Sequence, residues 1–157
     1  MINCKDSALK LISFKDRTEK ELRDRLSEKG YEETEIEETV EFLKEYKYID
    51  DEKYAKSFCT DCVNIKKWGK SRIFSELMRR GIPREIADAA IEENICEEGS
   101  VIAEEIKKRF KNSDLGNLKE RSRIFSYFAR RGFSPSQIRG AINEVCSFED
   151  IIPDDEF

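Results

Sequence analysis

Apolar residues recur at three- and four-residue intervals along almost the whole chain. No stretch alternates with the period of two that a half-buried strand requires. Ala8, Leu11 and Ile12 share one face of a helix predicted over 5–15. Thr18 with Glu21 forms a capping-box pattern opening a second helix, in which Leu22 and Leu26 stack one turn apart. Thr34 with Glu37 offers another capping box, followed by an i, i+4, i+7 stripe of Ile36, Val40 and Leu43.

The same sequence of elements then starts again. Asp50 or Asp51 is a suitable N-cap for a helix whose inward face is Ala55, Phe58, Cys59 and Cys62. Residues 66–70 read as the connection to a helix burying Ile73 and Leu77, with Phe74 and Met78 beside them. Pro83 suits the first turn of the next helix, striped by Ile86, Ala87, Ala90 and Ile91. A third round begins near Glu97 or Ser100, with Ile102, Ile106 and Phe110 on one side and a turn cluster over 112–117. Ile124, Phe125 and Phe128 line the following helix. Ser134 to Gln137 caps the last one, with Pro135 at its first position and a core side of Ile138, Ala141, Ile142 and Val145. The tail from Phe148 is expected to fray.

These rounds are copies of one unit. R-I-F-S-E-L-M-R-R-G-I, from Arg72 to Ile82, returns as R-I-F-S-Y-F-A-R-R-G-F, from Arg123 to Phe133. A fainter copy, E-L-R-D-R-L-S-E-K-G-Y, runs from Glu21 to Tyr31, so that Gly30, Gly81 and Gly132 recur every 51 residues. A period of that length marks a supersecondary unit used repeatedly. The fold class expected is all-α: nine helices as three tandem three-helix repeats in an elongated, curved array. The repeats span 1–50, 51–96 and 97–147, followed by an acidic C-terminal tail, 148–157.

Composition sharpens this. Of 157 residues, 38% are hydrophobic and 40% charged, which is lean for one deep core and suits units that each bury a single side. No apolar run is long enough for a membrane span or a signal peptide, so the expectation is a cytoplasmic chain whose five cysteines are reduced thiols. A monomer is expected, although no sequence feature speaks to self-association.

The net charge of −5 conceals a separation of sign. Residues 65–84 carry +6 and residues 107–139 carry +8, whereas 85–106 carry −8, 140–157 carry −6 and 1–50 carry −4. Local sign decides what a surface attracts. In the second repeat the cations are Lys66, Lys67, Lys70, Arg72, Arg79, Arg80 and Arg84. In the third they include Lys107, Lys108, Arg121, Arg123, Arg130 and Arg131. Charge on a helix is often only a solvated face, but such faces usually mix signs. A segregated strip suits a phosphate backbone or an acidic protein groove equally well. Trp68 among lysines could stack on a base, although a single Trp beside a turn is more often packing.

Catalytic chemistry finds little support. Cys59 and Cys62 are the one metal or redox pattern, yet zinc wants four ligands and the chain has no histidine. Both thiols also fall on an apolar stripe, where buried cysteine is the simpler reading. Asp50 and Asp51 read as caps rather than a catalytic pair. No glycine-rich phosphate loop or nucleophile constellation is present, so neither enzyme nor cofactor is expected. Nor does Arg-Arg-Gly at helix ends match a repressor, whose base contacts come from the N-terminal part of a recognition helix.

The ordered motifs resemble the RecX family of bacterial recombination regulators, over about Ala8 to Val145. They are A-L-K-L-I-S-F-K-D-R-T-E-K-E-L (Ala8 to Leu22), Y-I-D-D-E-K-Y-A-K-S-F (Tyr48 to Phe58), W-G-K-S-R-I-F-S-E-L-M-R-R-G-I (Trp68 to Ile82) and F-A-R-R-G-F-S-P-S-Q-I (Phe128 to Ile138). One departure is Lys70, where the family pattern leads one to expect proline. The resemblance implies a non-enzymatic protein that lies in the groove of the RecA nucleoprotein filament and caps or destabilises it. Recombination, DNA repair and the SOS response would be modulated as a result. RecA and, weakly and electrostatically, single- or double-stranded DNA would be its partners, with the cations above as candidate contacts. The alternative is a helical DNA-binding or adaptor protein unrelated to RecA.

Overall fold

The computed structural model describes residues 2–94 and 98–151, all helical or connecting. The helices are α1 (Cys4–Phe14), α2 (Glu19–Glu28), α3 (Glu33–Glu45), α4 (Asp51–Asp61), α5 (Lys70–Arg79), α6 (Arg84–Asn94), α7 (Glu98–Arg109), α8 (Leu118–Arg130) and α9 (Pro135–Ile151). In threes they make three tandem three-helix domains. The expected 96/97 boundary and most of the acidic tail lie outside the described residues; α9 itself continues to Ile151, past the point where fraying was expected.

The chain also divides into two compact units, Met1–Thr60 with Phe74–Glu93, and Asp61–Ile73 with the chain from Asn94 onward. In the first, α1, α2 and α3 enclose Ala8, Leu22, Leu26, Val40 and Leu43, all fully buried, with Cys4, Ile36 and Ile49. Each buried leucine contributes about 1.5–3 kcal/mol relative to exposure. In the second, α7, α8 and α9 enclose Ile102, Ile106, Ile124, Phe128 and Ile138. Phe128 is the hub of that core, meeting Phe110, Tyr127 and Phe133 edge-on at 5.0–6.3 Å between ring centroids.

The 51-residue period has a local cause. Each second helix ends in the same turn, in which the residue after the glycine donates back five positions: Tyr31 to Leu26, Ile82 to Leu77 and Phe133 to Phe128. Gly30, Gly81 and Gly132 sit at φ +93°, +84° and +90°, the left-handed geometry this Schellman ending requires.

Two of these endings are docked. In the first unit, the end of α5 meets the start of α2: the buried Thr18 hydroxyl accepts from Glu21 N (3.1 Å) and donates to the Arg80 carbonyl (2.6 Å). Gly81 lies so close to Lys20 that a Cβ would overlap that side chain. In the second unit, the end of α8 meets the start of α5. Gly69 N donates to Arg131 O at 2.7 Å and Ser71 N to Gly132 O at 3.2 Å. A Cβ on Gly132 would overlap the Arg72 backbone nitrogen, and one on Gly69 would come within 2.5 Å of the Gly132 carbonyl.

Several local expectations need correction. The Thr34–Glu37 capping box does not form; α3 starts at Glu33 without a side-chain cap, and Glu37 instead accepts from Arg23 at 2.7 Å. That guanidinium holds the Glu37 carboxyl below the usual range. Pro83 precedes α6 rather than opening it, its carbonyl accepting from Ala87 N. Asp50 caps its own helix through Lys53 N, whereas Asp51 reaches across to accept from Glu19 N. The connection after α4 is shorter than 66–70, because a π turn carries the helix on through Cys62–Lys66 and α5 begins at Lys70.

Gly30→Ala should cost about 1–2 kcal/mol, the left-handed backbone penalty alone, because nothing lies within 4 Å of a Cβ there. Gly132→Ala carries that penalty plus steric overlap and should cost at least about 1 kcal/mol more. Urea unfolding of both variants checks this; equal costs would contradict the docked ending.

Candidate cationic interface

The candidate cations divide between the two compact units. Arg79, Arg80 and Arg84 belong to the first; Lys66, Lys67, Lys70, Arg72, Lys107, Lys108, Arg121, Arg123, Arg130 and Arg131 belong to the second. Arg79, Arg130, Lys107 and Lys108 all stand in the last turn of a helix, where positive charge offsets the negative end of the dipole.

Two segments far apart in sequence converge in the second unit. Besides the Gly69 and Ser71 bonds, the Arg72 guanidinium donates to the Arg130 carbonyl at 3.3 Å. Lys66 Nζ lies 4.5 Å and the Arg72 guanidinium 4.0 Å from the Trp68 ring centre. Lys66, Arg72, Arg130 and Arg131 thus gather around one junction of helix ends. Lys70, also there, donates its backbone N–H to the buried carboxylate of Glu98 at 2.8 Å, a bond that a proline could not make. Lys67 takes a left-handed conformation, φ +56°, to bring the chain out of the π turn.

Cations alike in sequence differ in freedom. Arg79 is exposed and pairs with Glu76 on its own helix (2.6 Å), Arg84 with Asp88 (3.9 Å) and Arg123 with Glu120 (2.9 Å). Exposed pairs of this kind contribute about 0–1 kcal/mol and are readily exchanged for another anion. Arg80 is half-buried: it donates to the Tyr54 hydroxyl at 2.6 Å and its guanidinium lies 4.6 Å from the Phe58 ring centre. Arg131 covers Tyr127 at 3.6 Å and donates to that residue's carbonyl. Arg121 donates through Nε to the Leu115 carbonyl. Within each Arg-Arg pair, the first points to solvent and the second is tied down by its own unit. The exposed members carry the charge that a partner would meet.

Cys59 and Cys62 are both buried, as their periodicity expects. Among the described residues, no cluster of three or more His, Cys, Asp or Glu could hold a metal ion, and no helix is long and apolar enough to cross a membrane. Helical periodicity does not anticipate two exposed apolar residues, Ile65 in the π turn and Leu118 at the start of α8.

Models of the first, second and third three-helix domains of RecX match residues 4–43, 50–91 and 97–142. The Regulatory protein RecX of Vibrio vulnificus (strain CMCP6) is 34% identical over 148 residues, 92% of this chain and 94% of that one. The Regulatory protein RecX of Clostridium botulinum (strain Alaska E43 / Type E3) is 29% identical over 153 residues, 95% of this chain and 71% of the relative. Among solved structures, RecX from Lactobacillus salivarius matches with a TM-score of 0.77 at 26% identity, covering 92% of this chain and 95% of that one.

Burial pushes the Tyr54 phenol above its ordinary value, although the hydrogen bond from Arg80 acts the other way. Absorbance titration should therefore show Tyr54 ionising later than the usual pKa of about 10. Tyr54→Phe should remove that late step. Its persistence would mean that Tyr54 is not buried as described.

Proposed function

Since this chain belongs to the RecX family, we propose that it is a non-enzymatic regulator that binds the RecA filament and restrains it. What supports the reading is the match of all three RecX domains, in order, over almost the whole chain. The natural functional divisions are the repeats 1–50, 51–96 and 97–147. The chain acts in the cytoplasm as a monomer, with no cofactor.

Chemistry suggests how contact is made. A filament offers the same surfaces at regular intervals, so modest contacts from successive domains add through avidity rather than through one deep pocket. The exposed cations, Lys66, Lys70, Arg79, Arg84, Lys107, Lys108, Arg123 and Arg130, supply attraction to phosphate or to acidic protein surface. Arg72, Arg80, Arg121 and Arg131 hold the platform that presents them. Binding to bare DNA follows from the same charges and is weak, because contacts to phosphate position a protein without reading the bases.

RecA ATPase on single-stranded DNA, with this protein titrated in, tests the activity: it should fall as the protein is added, and an unchanged rate would exclude filament restraint. Reversing Arg79, Lys107, Lys108 and Arg130 to Glu should weaken filament binding at a modest cost in helix stability, about 0.3–1 kcal/mol for each lost dipole contact. For every phosphate no longer neutralised, the log–log salt slope should also fall by roughly 0.7–0.9. Arg80→Glu and Arg131→Glu should instead lower unfolding stability. Filament binding unchanged by the exposed reversals would remove these cations from the interface.

A further inference from the structure

One junction of helix ends in the second unit gathers cations that the described protein does not neutralise. Lys66, Lys67, Lys70, Arg72, Arg130 and Arg131 all belong to that unit. Among the described residues, none of the six forms an ion pair with a carboxylate. Arg79, Arg84, Arg109 and Arg123, by contrast, each pair with an acid on their own helix. Acids are not scarce in a chain with 34 of them and a net charge of −5. The junction therefore holds a concentrated positive field that attracts an anion from outside.

The shape of two of these cations narrows the choice of anion. The Arg72 guanidinium lies 4.0 Å from the centre of the Trp68 ring and donates to the Arg130 carbonyl at 3.3 Å. The Arg131 guanidinium lies 3.6 Å from the centre of the Tyr127 ring and donates to the Tyr127 carbonyl at 3.3 Å. The two stacks adjoin, because Gly69, next to Trp68, donates its N–H to the Arg131 carbonyl at 2.7 Å. Each guanidinium is thus steadied by a ring and a carbonyl, which leaves it an outer plane and further N–H donors for a ligand. All four side chains are half-buried rather than enclosed. The backbone bends to place Trp68 there. Lys67 takes φ +56°, uncommon for a residue other than glycine, and Trp68 N then donates to the Cys62 carbonyl at 3.0 Å.

We propose that this junction binds unpaired nucleotides of a single strand. Bases stack on the outer planes of Arg72 and Arg131, and phosphates meet Lys66, Lys70 and Arg130. An acidic protein surface would use the charges alone. A flat guanidinium backed by a ring matches the face of a nucleobase, which stacks on arginine planes as it does on aromatic side chains. A duplex hides its base faces and offers the junction only phosphate. Strand preference therefore separates the two modes. Charge alone favours the duplex, whose counterion release per phosphate is larger, about 0.9 against 0.7. Preference for the single strand requires contact with bases. The inference rests on the proposed role of these cations toward phosphate. RecA is absent from its test, so failure there leaves filament restraint to the ATPase measurement.

The experiment measures binding of the full chain to a labelled oligothymidylate of about 15 nucleotides, within the site sizes of single-strand binders. Fluorescence anisotropy compares it with the same strand paired in a duplex. The single strand should bind about fivefold more tightly or better, the lower end for one base stack. It should also change the emission of Trp68, the one tryptophan in the chain. Arg72→Lys with Arg131→Lys keeps both charges and removes both planes. That variant should lose about fivefold or more in single-strand affinity, with duplex affinity held within about twofold because the charge is unchanged. Retained duplex binding reports that the variant is folded, and the parental comparison stands whatever the variant's stability. Duplex bound as tightly as single strand by the parent protein would overturn the proposal. So would single-strand binding that leaves Trp68 emission unchanged, or a strand preference untouched by the two lysines.

Discussion

What the structure depends on is the disposal of the carbonyl groups at the end of each second helix. The last turn of an α-helix leaves its carbonyls without partners, and burying one unpaired costs about 1–3 kcal/mol. Here the Schellman turn at each glycine satisfies some of them, and a neighbouring helix start supplies donors for others. The Thr18 hydroxyl serves Arg80 in the first unit; the Gly69 and Ser71 amides serve Arg131 and Gly132 in the second. The pairing suits both sides, because a helix start has the opposite deficit of unpaired N–H groups. Partial charges at the two ends are also of opposite sign, so the contact is favourable electrostatically as well. It works only if the backbones approach closely, and Gly69 and Gly132 stand where a Cβ would prevent that.

The charge pattern follows from the same geometry. A helix that ends in a docked carbonyl cluster accumulates negative partial charge there, and arginine in the last turn compensates. One arginine of each pair is then drawn over a neighbouring ring, Arg80 over Phe58 and Arg131 over Tyr127, burying its stem while staying charged. The other projects outward. The outward-facing charge is thus built on a feature that the fold already needs, which is why Arg-Arg precedes both Gly81 and Gly132.

Much of this was legible in the sequence. Helical spacing of Leu22, Leu26, Val40, Ile73, Leu77, Ile124 and Phe128 identified residues that are buried, and the glycine interval marked the repeat. Thr18 could be read as a cap, but not its second bond to Arg80, because a residue 62 positions away leaves no trace in a local pattern. Thr34 failed as a cap because α3 already begins at Glu33, which places Thr34 inside the helix, while the Glu37 carboxylate pairs with Arg23 instead. The freedom of each arginine was equally hidden. Adjacent residues on a helix point about 100° apart, so Arg79 and Arg80 inevitably differ, but which one meets Tyr54 depends on tertiary packing. Nor could the sequence show that 61–73 packs with the third repeat while 74–93 packs with the first, since a division inside a repeat follows contacts rather than composition.

Native-state hydrogen exchange at Gly69 and Ser71 tests the docked helix ends most directly. Both precede or open α5 and would exchange quickly if that start were solvated, since the first N–H groups of a helix have no internal acceptor. Docking predicts protection of both amides comparable to that of Phe133 N within the same junction. Exchange at the rate of an open loop, with Phe133 still protected, would contradict it.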